Sequence, residues 1–351
     1  MANAIQKNNV NVDIQVISSP SDNTSHNDVS EKIYIDSIRI KKSKNLIIRA
    51  IKELVFSLQV SALISKNSSF QVYTVPSPII LVAAYFRRSN SFGIDVRDCS
   101  WDYIDGRGLL GFIASKLLIF LLRPVFKRAA FISCTNSFES ASIFKNFKRK
   151  ATVIPNGIEE KKYQKLIQTP STKNSRQGPT RILYAGNLGY AQSLMTLVDS
   201  VKMSNNFNVE LIGEGAQKSN INKYIADNHI NNVRVISSIG WDDLVDKYVE
   251  SEILYAQITK DFSSAIPTKI FEYIATGKIV VLGLPNGPAK SIFSSFSGVF
   301  IHEPVNVESC MSTINAAASS AKPDRTLNNL LLKDYVRENY QDIFFGLLPK
   351  S

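Results

Sequence analysis

The chain is poor in the residues that usually carry metal or hydrolytic chemistry. Its 351 residues include three cysteines and three histidines. Cys99, Cys134 and Cys310 lie far apart with no metal-ligand spacing, which fits buried or incidental thiols in a reducing compartment. His26, His229 and His302 are scattered among polar neighbours and read as surface histidines, so no Ser/His/Asp grouping can be assembled. No Asp-x-Asp metal motif stands in a suitable turn, and no repeat appears at solenoid periods. The first twenty residues lack the basic start and continuous apolar core of a secretory signal.

Acidic residues are scarce in one half only. Residues 1–150 hold 21 Lys and Arg against 11 Asp and Glu, whereas the remaining 201 hold 20 against 19. The net charge of +11 therefore belongs almost entirely to the N-terminal half. Such a field favours an anionic membrane surface or a lipid diphosphate. No nucleic-acid fold motif accompanies it, so nucleic acid is not expected as a partner.

What is present suits a soluble chain of two domains: 44% hydrophobic residues and a mean hydropathy of −0.04. Met1 to Asn9 reads as a helix tail, and Ser18 to Ser30 as polar turn. Strands are predicted at Val12–Ile17, Lys32–Asp36, Phe70–Val75, Phe92–Val96 and Ala130–Cys134, the last followed by a helix through Phe147. Leu46 to Ile64 has helical spacing. The polar run Thr169 to Pro179 reads as a linker. Beyond it, strands at 181–185, 208–212, 232–236, 252–256 and 279–283 alternate with helical segments, the rhythm of a parallel sheet covered on both faces. Ligands in such sheets sit at the strand carboxyl ends, where Gly186, Gly213, Ser237 and the Pro267 turn fall.

Leu109 to Phe126 is apolar for eighteen residues but holds Lys116 and Arg123 and breaks at Pro124. A membrane span would bury Lys116 near its middle at about 2.5–3.5 kcal/mol. The first reading is a core helix with one wet edge. The second is an interfacial helix flanked by Arg107, Arg123, Lys127 and Arg128, and a span comes last.

The most informative segment is Pro267-Thr-Lys269-Ile-Phe-Glu272-Tyr273-Ile-Ala-Thr-Gly277-Lys278. The proline opens a helix and Gly277 closes it, so Lys269 and Glu272 share a face. A cation and a carboxylate there suit a ligand with both phosphate and hydroxyl groups, such as a nucleotide sugar. A solvent-facing ion pair is the alternative that spacing alone leaves open.

This segment resembles the donor-site signature of retaining GT-B glycosyltransferases of family 4. Three further stretches resemble the same family in the same order: Arg181-Ile-Leu-Tyr-Ala-Gly186-Asn187-Leu188-Gly189, Val209-Glu-Leu-Ile-Gly213-Glu214-Gly215, and Val153-Ile-Pro-Asn156-Gly157-Ile158. The resemblance covers roughly positions 1 to 320. It implies an α/β protein of GT-B fold, two doubly wound parallel-sheet domains facing across a cleft. The expected divisions are an acceptor domain at 1–165, a linker at 166–179, a nucleotide-sugar domain at 180–325, and helices at 326–351 packing back toward the first domain.

The implied donor site comprises Gly186, Asn187, Gly189, Gly213, Ser237, Ile239, Lys269 and Glu272, with Glu272 on the ribose hydroxyls and Lys269 also stabilising the leaving phosphate. Ser237 to Trp241 would lie beside the nucleobase. Gln192 stands where the family commonly has a basic phosphate clamp, and Ser264 where many members carry a second glutamate. On the acceptor side, Arg97-Asp98-Cys99-Ser100-Trp101 resembles the Arg-Asp-x-Trp segment of bacterial surface-polysaccharide transferases, with Ser100 inserted. It offers Arg97 to a diphosphate, Asp98 as catalytic base and Trp101 as sugar platform, or simply an Asp–Arg pair capping a strand.

The family comparison implies a metal-independent, cofactor-free retaining transfer from a nucleotide sugar, UDP-linked, to a lipid-linked saccharide of O-antigen or capsule assembly. The donor sugar would be an N-acetylated deoxyhexose such as fucosamine. The protein would sit peripherally on the anionic inner face of the cytoplasmic membrane. The chain also reads as lacking the family's first strand and glycine-rich loop. Two alternatives stand beside this reading: a UDP-sugar 2-epimerase-like enzyme, and a degenerate nucleotide-binding scaffold.

Overall fold

A computed structural model describes residues 14–18, 33–37, 52, 54, 55, 57–59, 70–75, 78–81, 91–105, 108–169 and 178–348. The helix tail expected at 1–9, the polar turn at 19–30 and the linker's middle at 170–177 lie outside them. The chain divides into two compact units, one running to Pro155 and resuming at Tyr340, the other Asn156–Asn339. The division precedes the polar run at 166–179. Helix Glu160–Gln168 therefore belongs to the second unit, and only the segment from Tyr340 joins the first.

In the first unit, β1 (Ile14–Ser18) and β2 (Ile33–Ser37) pair in parallel as a separate ribbon. A four-stranded parallel sheet follows in the order β3 (Phe70–Val75), β4 (Ser91–Val96), β5 (Phe131–Cys134), β6 (Thr152–Val153). β4 and β5 are buried almost throughout, as central parallel strands must be. Helices α1 (Ser100–Asp105) and α2 (Gly108–Arg128) lie between β4 and β5, and α3 (Ser137–Phe147) lies between β5 and β6. The start of α3 is fixed by Asn136, whose side chain accepts the Glu139 N–H at 2.9 Å. The positions described between 52 and 59 are helical, as their spacing predicts.

The second unit opens with α4 (Glu160–Gln168) and builds a six-stranded parallel sheet. Its strands are β7 (Thr180–Ala185), β8 (Phe207–Ile212), β9 (Val233–Ile236), β10 (Ile253–Gln257), β11 (Ile279–Gly283) and β12 (Val299–His302). Their spatial order is β12-β11-β10-β7-β8-β9, with helix α5 (Met195–Val201) after β7 and α6 (Lys218–Asp227) after β8. Along β7 and β10 successive side chains enter opposite cores: Leu183, Ala185, Leu254 and Ala256 on one face, Ile182, Tyr184, Ile253 and Tyr255 on the other. Both faces are covered, so the strands are continuously apolar rather than alternating. Five expected strands recur within a residue or two; β12 was not anticipated.

The chain enters and leaves this unit side by side. Ile158 bridges Val336, with Ile158 N–H donating to Tyr335 O at 2.9 Å and Arg337 N–H to Ile158 O at 3.0 Å. A Cβ at Gly157 would overlap the Tyr335 carbonyl oxygen, which explains the glycine of the Asn156-Gly157 motif.

Candidate active site

The strand order reverses between β7 and β10, so their carboxyl ends form the topological switch point where open α/β sheets bind ligands. The expected glycine turns are here and are laced to each other. Gly186 N–H donates to Ile212 O at 2.9 Å, and Leu188 N–H to Glu214 O at 2.8 Å. A Cβ at Gly213 would overlap the Gly186 carbonyl oxygen. These glycines thus let two turns approach closely. Asn187 Nδ2 donates to Gln192 Oε1 at 3.3 Å across the mouth of the first turn, and Gly189 lies beneath this pair.

The first turn is braced from below by a residue the sequence did not single out. Buried Gln257, at the end of β10, donates through Nε2 to Gln192 O at 3.0 Å and Ser193 O at 2.9 Å. At the end of β9, Ser237 accepts from Lys218 Nζ at 2.8 Å, and Lys218 also pairs with Glu214 at 2.7 Å. That pairing holds the Glu214 carboxyl below its ordinary value. Ile239 packs on the core under the helix α7 (Trp241–Glu250).

The Pro267–Gly277 segment forms helix α8 (Lys269–Ala275) with the predicted start and stop. Gly277 has φ 70°, the left-handed conformation that ends a helix. Tyr273 fixes the helix to the sheet: Ala185 N–H donates to its hydroxyl at 2.9 Å, and the hydroxyl donates to Ala185 O at 3.2 Å. On the neighbouring helical position Glu272 is 9% exposed and meets groups from three helices. Its Oε1 accepts from Lys162 Nζ of α4 at 3.3 Å, and its Oε2 accepts from the buried Tyr248 hydroxyl of α7 at 3.3 Å. Lys269 Nζ lies 3.9 Å from Oε2, so the expected same-face pair exists. Burial pushes the Lys269 ammonium below its ordinary value, and Lys162 pushes in the same direction.

Lys162 and Tyr248 escaped the sequence reading because each is far from Glu272 along the chain. The available signal was local: Tyr163 and Leu166 mark the buried face of α4, with Lys162 and Lys165 beside it. Both ammonium groups also stand over the Trp241 ring, at 5.8 and 5.1 Å from its centroid. The structure therefore gathers Lys269, Glu272 and Trp241 around Lys162, Tyr273 ties them to the β7 end, and Ser237 is held apart by Lys218.

The acceptor residues lie in the first unit, at the end of β4. Asp95 is buried and accepts from Arg97 Nε at 2.6 Å and Ser133 Oγ at 2.8 Å. Arg97 thus makes the strand-capping pair that was the alternative expectation. Asp98 follows, half-buried, in the turn before α1. Trp101 departs from expectation. It is fully buried, edge-on to Phe126 and Phe147 at 5.9 and 5.2 Å, and its indole donates to Ser142 Oγ at 3.0 Å. An indole enclosed in the core has no face for a sugar. Among the described residues no cluster of three or more His, Cys, Asp or Glu could hold a metal ion.

Residues 167–329 match the family model described as Glycosyl transferases group 1. No protein of curated function matches the chain in sequence. Among solved structures, sucrose-phosphate synthase from Thermosynechococcus elongatus superposes with a TM-score of 0.71 at 12% identity, covering 98% of this chain and 89% of that one. An α,α-trehalose-phosphate synthase (UDP-forming) from Burkholderia xenovorans gives 0.67 at 11% identity, covering 95% and 90%. WaaG, a glycosyltransferase involved in lipopolysaccharide biosynthesis, gives 0.59 at 13% identity, covering 97% and 89%. The two parallel sheets are those of the GT-B fold, and the match to group 1 glycosyl transferases falls within its second unit.

Proposed function

We propose that the protein transfers a sugar from a nucleotide-sugar donor, UDP-linked, to a lipid-linked saccharide acceptor of surface-polysaccharide assembly. The observation that carries this reading is Glu272. It is a nearly buried carboxylate flanked by Lys162 and Lys269, set beside the switch point of the matched domain. Glu272 binds the ribose diol, Lys269 the diphosphate, and the Gly186–Gly189 turn brings backbone close to the phosphates. The UDP-forming synthase and the lipopolysaccharide transferase among the similar folds support the donor and acceptor classes.

In a retaining transfer, the acceptor oxygen bonds to the anomeric carbon on the face from which the diphosphate leaves. The carbon–oxygen bond to the β-phosphate breaks, and the acceptor proton passes to that departing oxygen. Asp98 orients the acceptor hydroxyl. The protein contributes position and charge stabilisation rather than a nucleophile or a metal.

Calorimetric titration with UDP tests the donor site. The native chain is expected to bind in the micromolar range. Glu272→Ala and Lys269→Ala should each weaken binding about 10- to 100-fold, the loss of hydrogen bonds to a charged group. No UDP binding by a folded native chain would replace this reading with a scaffold role.

A further inference from the structure

Helix α2 is apolar on two opposite faces, and among the described residues only one of them is packed into the core. Gly111, Ser115, Ile119, Leu122, Val125 and Phe126 form the buried stripe, at helical i, i+3 and i+4 spacing. This stripe is a wall of the first core. Phe126 stacks on Phe147 at 3.8 Å, and Ser115 Oγ donates to Trp101 O at 2.9 Å. On the opposite side Leu109, Leu110, Ile113, Leu117, Phe120 and Leu121 are 54–82% exposed. A contiguous row of that size on a soluble protein marks an interaction surface.

Charge identifies the occupant. Between Asp105 and Glu139 the sequence contains no acidic residue. Lys116, Arg123 and Lys127 fall at i, i+7 and i+11, one line along the edge of the outer face, and Arg128 adds a fourth cation at its C-terminal end. Lys116 already lies along this surface, its Nζ 5.0 Å above the Phe112 ring. The only uncharged polar side chain of α2 is Ser115, which is buried inward. The outer face therefore presents hydrocarbon bordered by cations, with no directional hydrogen-bonding groups for a protein partner to read.

We propose that α2 docks the protein flat on an anionic lipid bilayer. Leu110, Leu117, Phe120 and Leu121 enter the acyl boundary, and Lys116, Arg123 and Lys127 meet lipid phosphates at the water line. Flat docking leaves the inner stripe in the core, whereas a span would strip Phe126 and Ser115 from Trp101 and Phe147 and draw Lys116 into hydrocarbon. This assignment rests on the surface of the first unit alone and is independent of the donor reading.

The test is flotation of the full chain with phosphatidylcholine vesicles, pure or containing roughly one-third phosphatidylglycerol. Binding is expected to the anionic vesicles, to weaken as salt rises, and to be released by alkaline carbonate. Leu117→Glu/Phe120→Glu should lower partitioning about tenfold or more, since both apolar side chains are lost from the acyl boundary and replaced by charge. Lys116→Gln/Arg123→Gln/Lys127→Gln should abolish the preference for anionic over neutral vesicles. Circular dichroism and UDP titration of each variant separate lost docking from lost folding or a failed donor site. Native protein that stays unbound at low salt, a Leu117→Glu/Phe120→Glu variant that floats as well as native, or resistance to carbonate extraction would each overturn the proposal.

Discussion

The β5–α3 turn of the first unit and the β10–α8 approach of the second each lead into a helix whose first turn carries a buried glutamate. Their surroundings are opposite in kind. Glu139 is satisfied by its own loop: one carboxylate oxygen accepts from the Thr135 N–H and from the Thr135 hydroxyl, both at 2.7 Å. Burial dominates and raises its carboxyl above the ordinary value, with Asp98 adding to the rise. Glu272 instead gathers Lys162, Tyr248 and Lys269 from three helices. A carboxylate filled by a single neighbouring residue caps a turn. One held among cations on separate elements can exchange a partner for a ligand.

The largest expected effect that sharpens this contrast is structural. Trp101→Ala removes the indole at the centre of the first core and should cost about 3–5 kcal/mol in urea unfolding, while UDP titration of the remaining folded protein stays native. A variant as stable as the native chain, defective only in acceptor use, would return Trp101 to the role of sugar platform.

Glu139 predicts an intermediate effect with a definite sign. Its folded form holds a proton to higher pH than the unfolded chain, so native stability is greatest where the carboxyl is protonated and falls as pH rises through the raised value. Glu139→Gln keeps an acceptor for Thr135 and should flatten that slope in urea titrations taken upward in pH from the ordinary carboxylate range. An unchanged slope would show that other groups carry it.

The smallest effect concerns Lys162. Lys162→Met frees Oε1 of Glu272 from a partly exposed pair and should tighten UDP binding about two- to fivefold, the scale of a weak ion pair. Weaker binding would instead make Lys162 a phosphate ligand.

These contrasts explain what the sequence could disclose. The strands of the second unit were legible because burial on both faces demands unbroken apolar runs, and α8 because Pro267 and Gly277 bound it. Lys269 and Glu272 were readable as a pair because helical spacing alone sets their separation. Lys162, Tyr248 and Gln257 were not, since each acts on residues remote in sequence. Trp101 was misread for the same reason: an aromatic beside Arg97 and Asp98 looks accessible until Phe126 and Phe147 close over it. α2 divided the reading because its two apolar faces satisfy the core pattern and the interfacial pattern at once.

The paired bonds between Tyr273 and Ala185 reach beyond stability. They register α8 directly against the middle of the sheet, so the placement of Glu272 does not depend on the length of the 258–268 connection. On the proposed reading, that connection can be recomposed while Glu272 keeps its place on the sheet. If Glu272 holds the nucleotide as proposed, a lineage built this way can edit one loop and keep the same handle throughout.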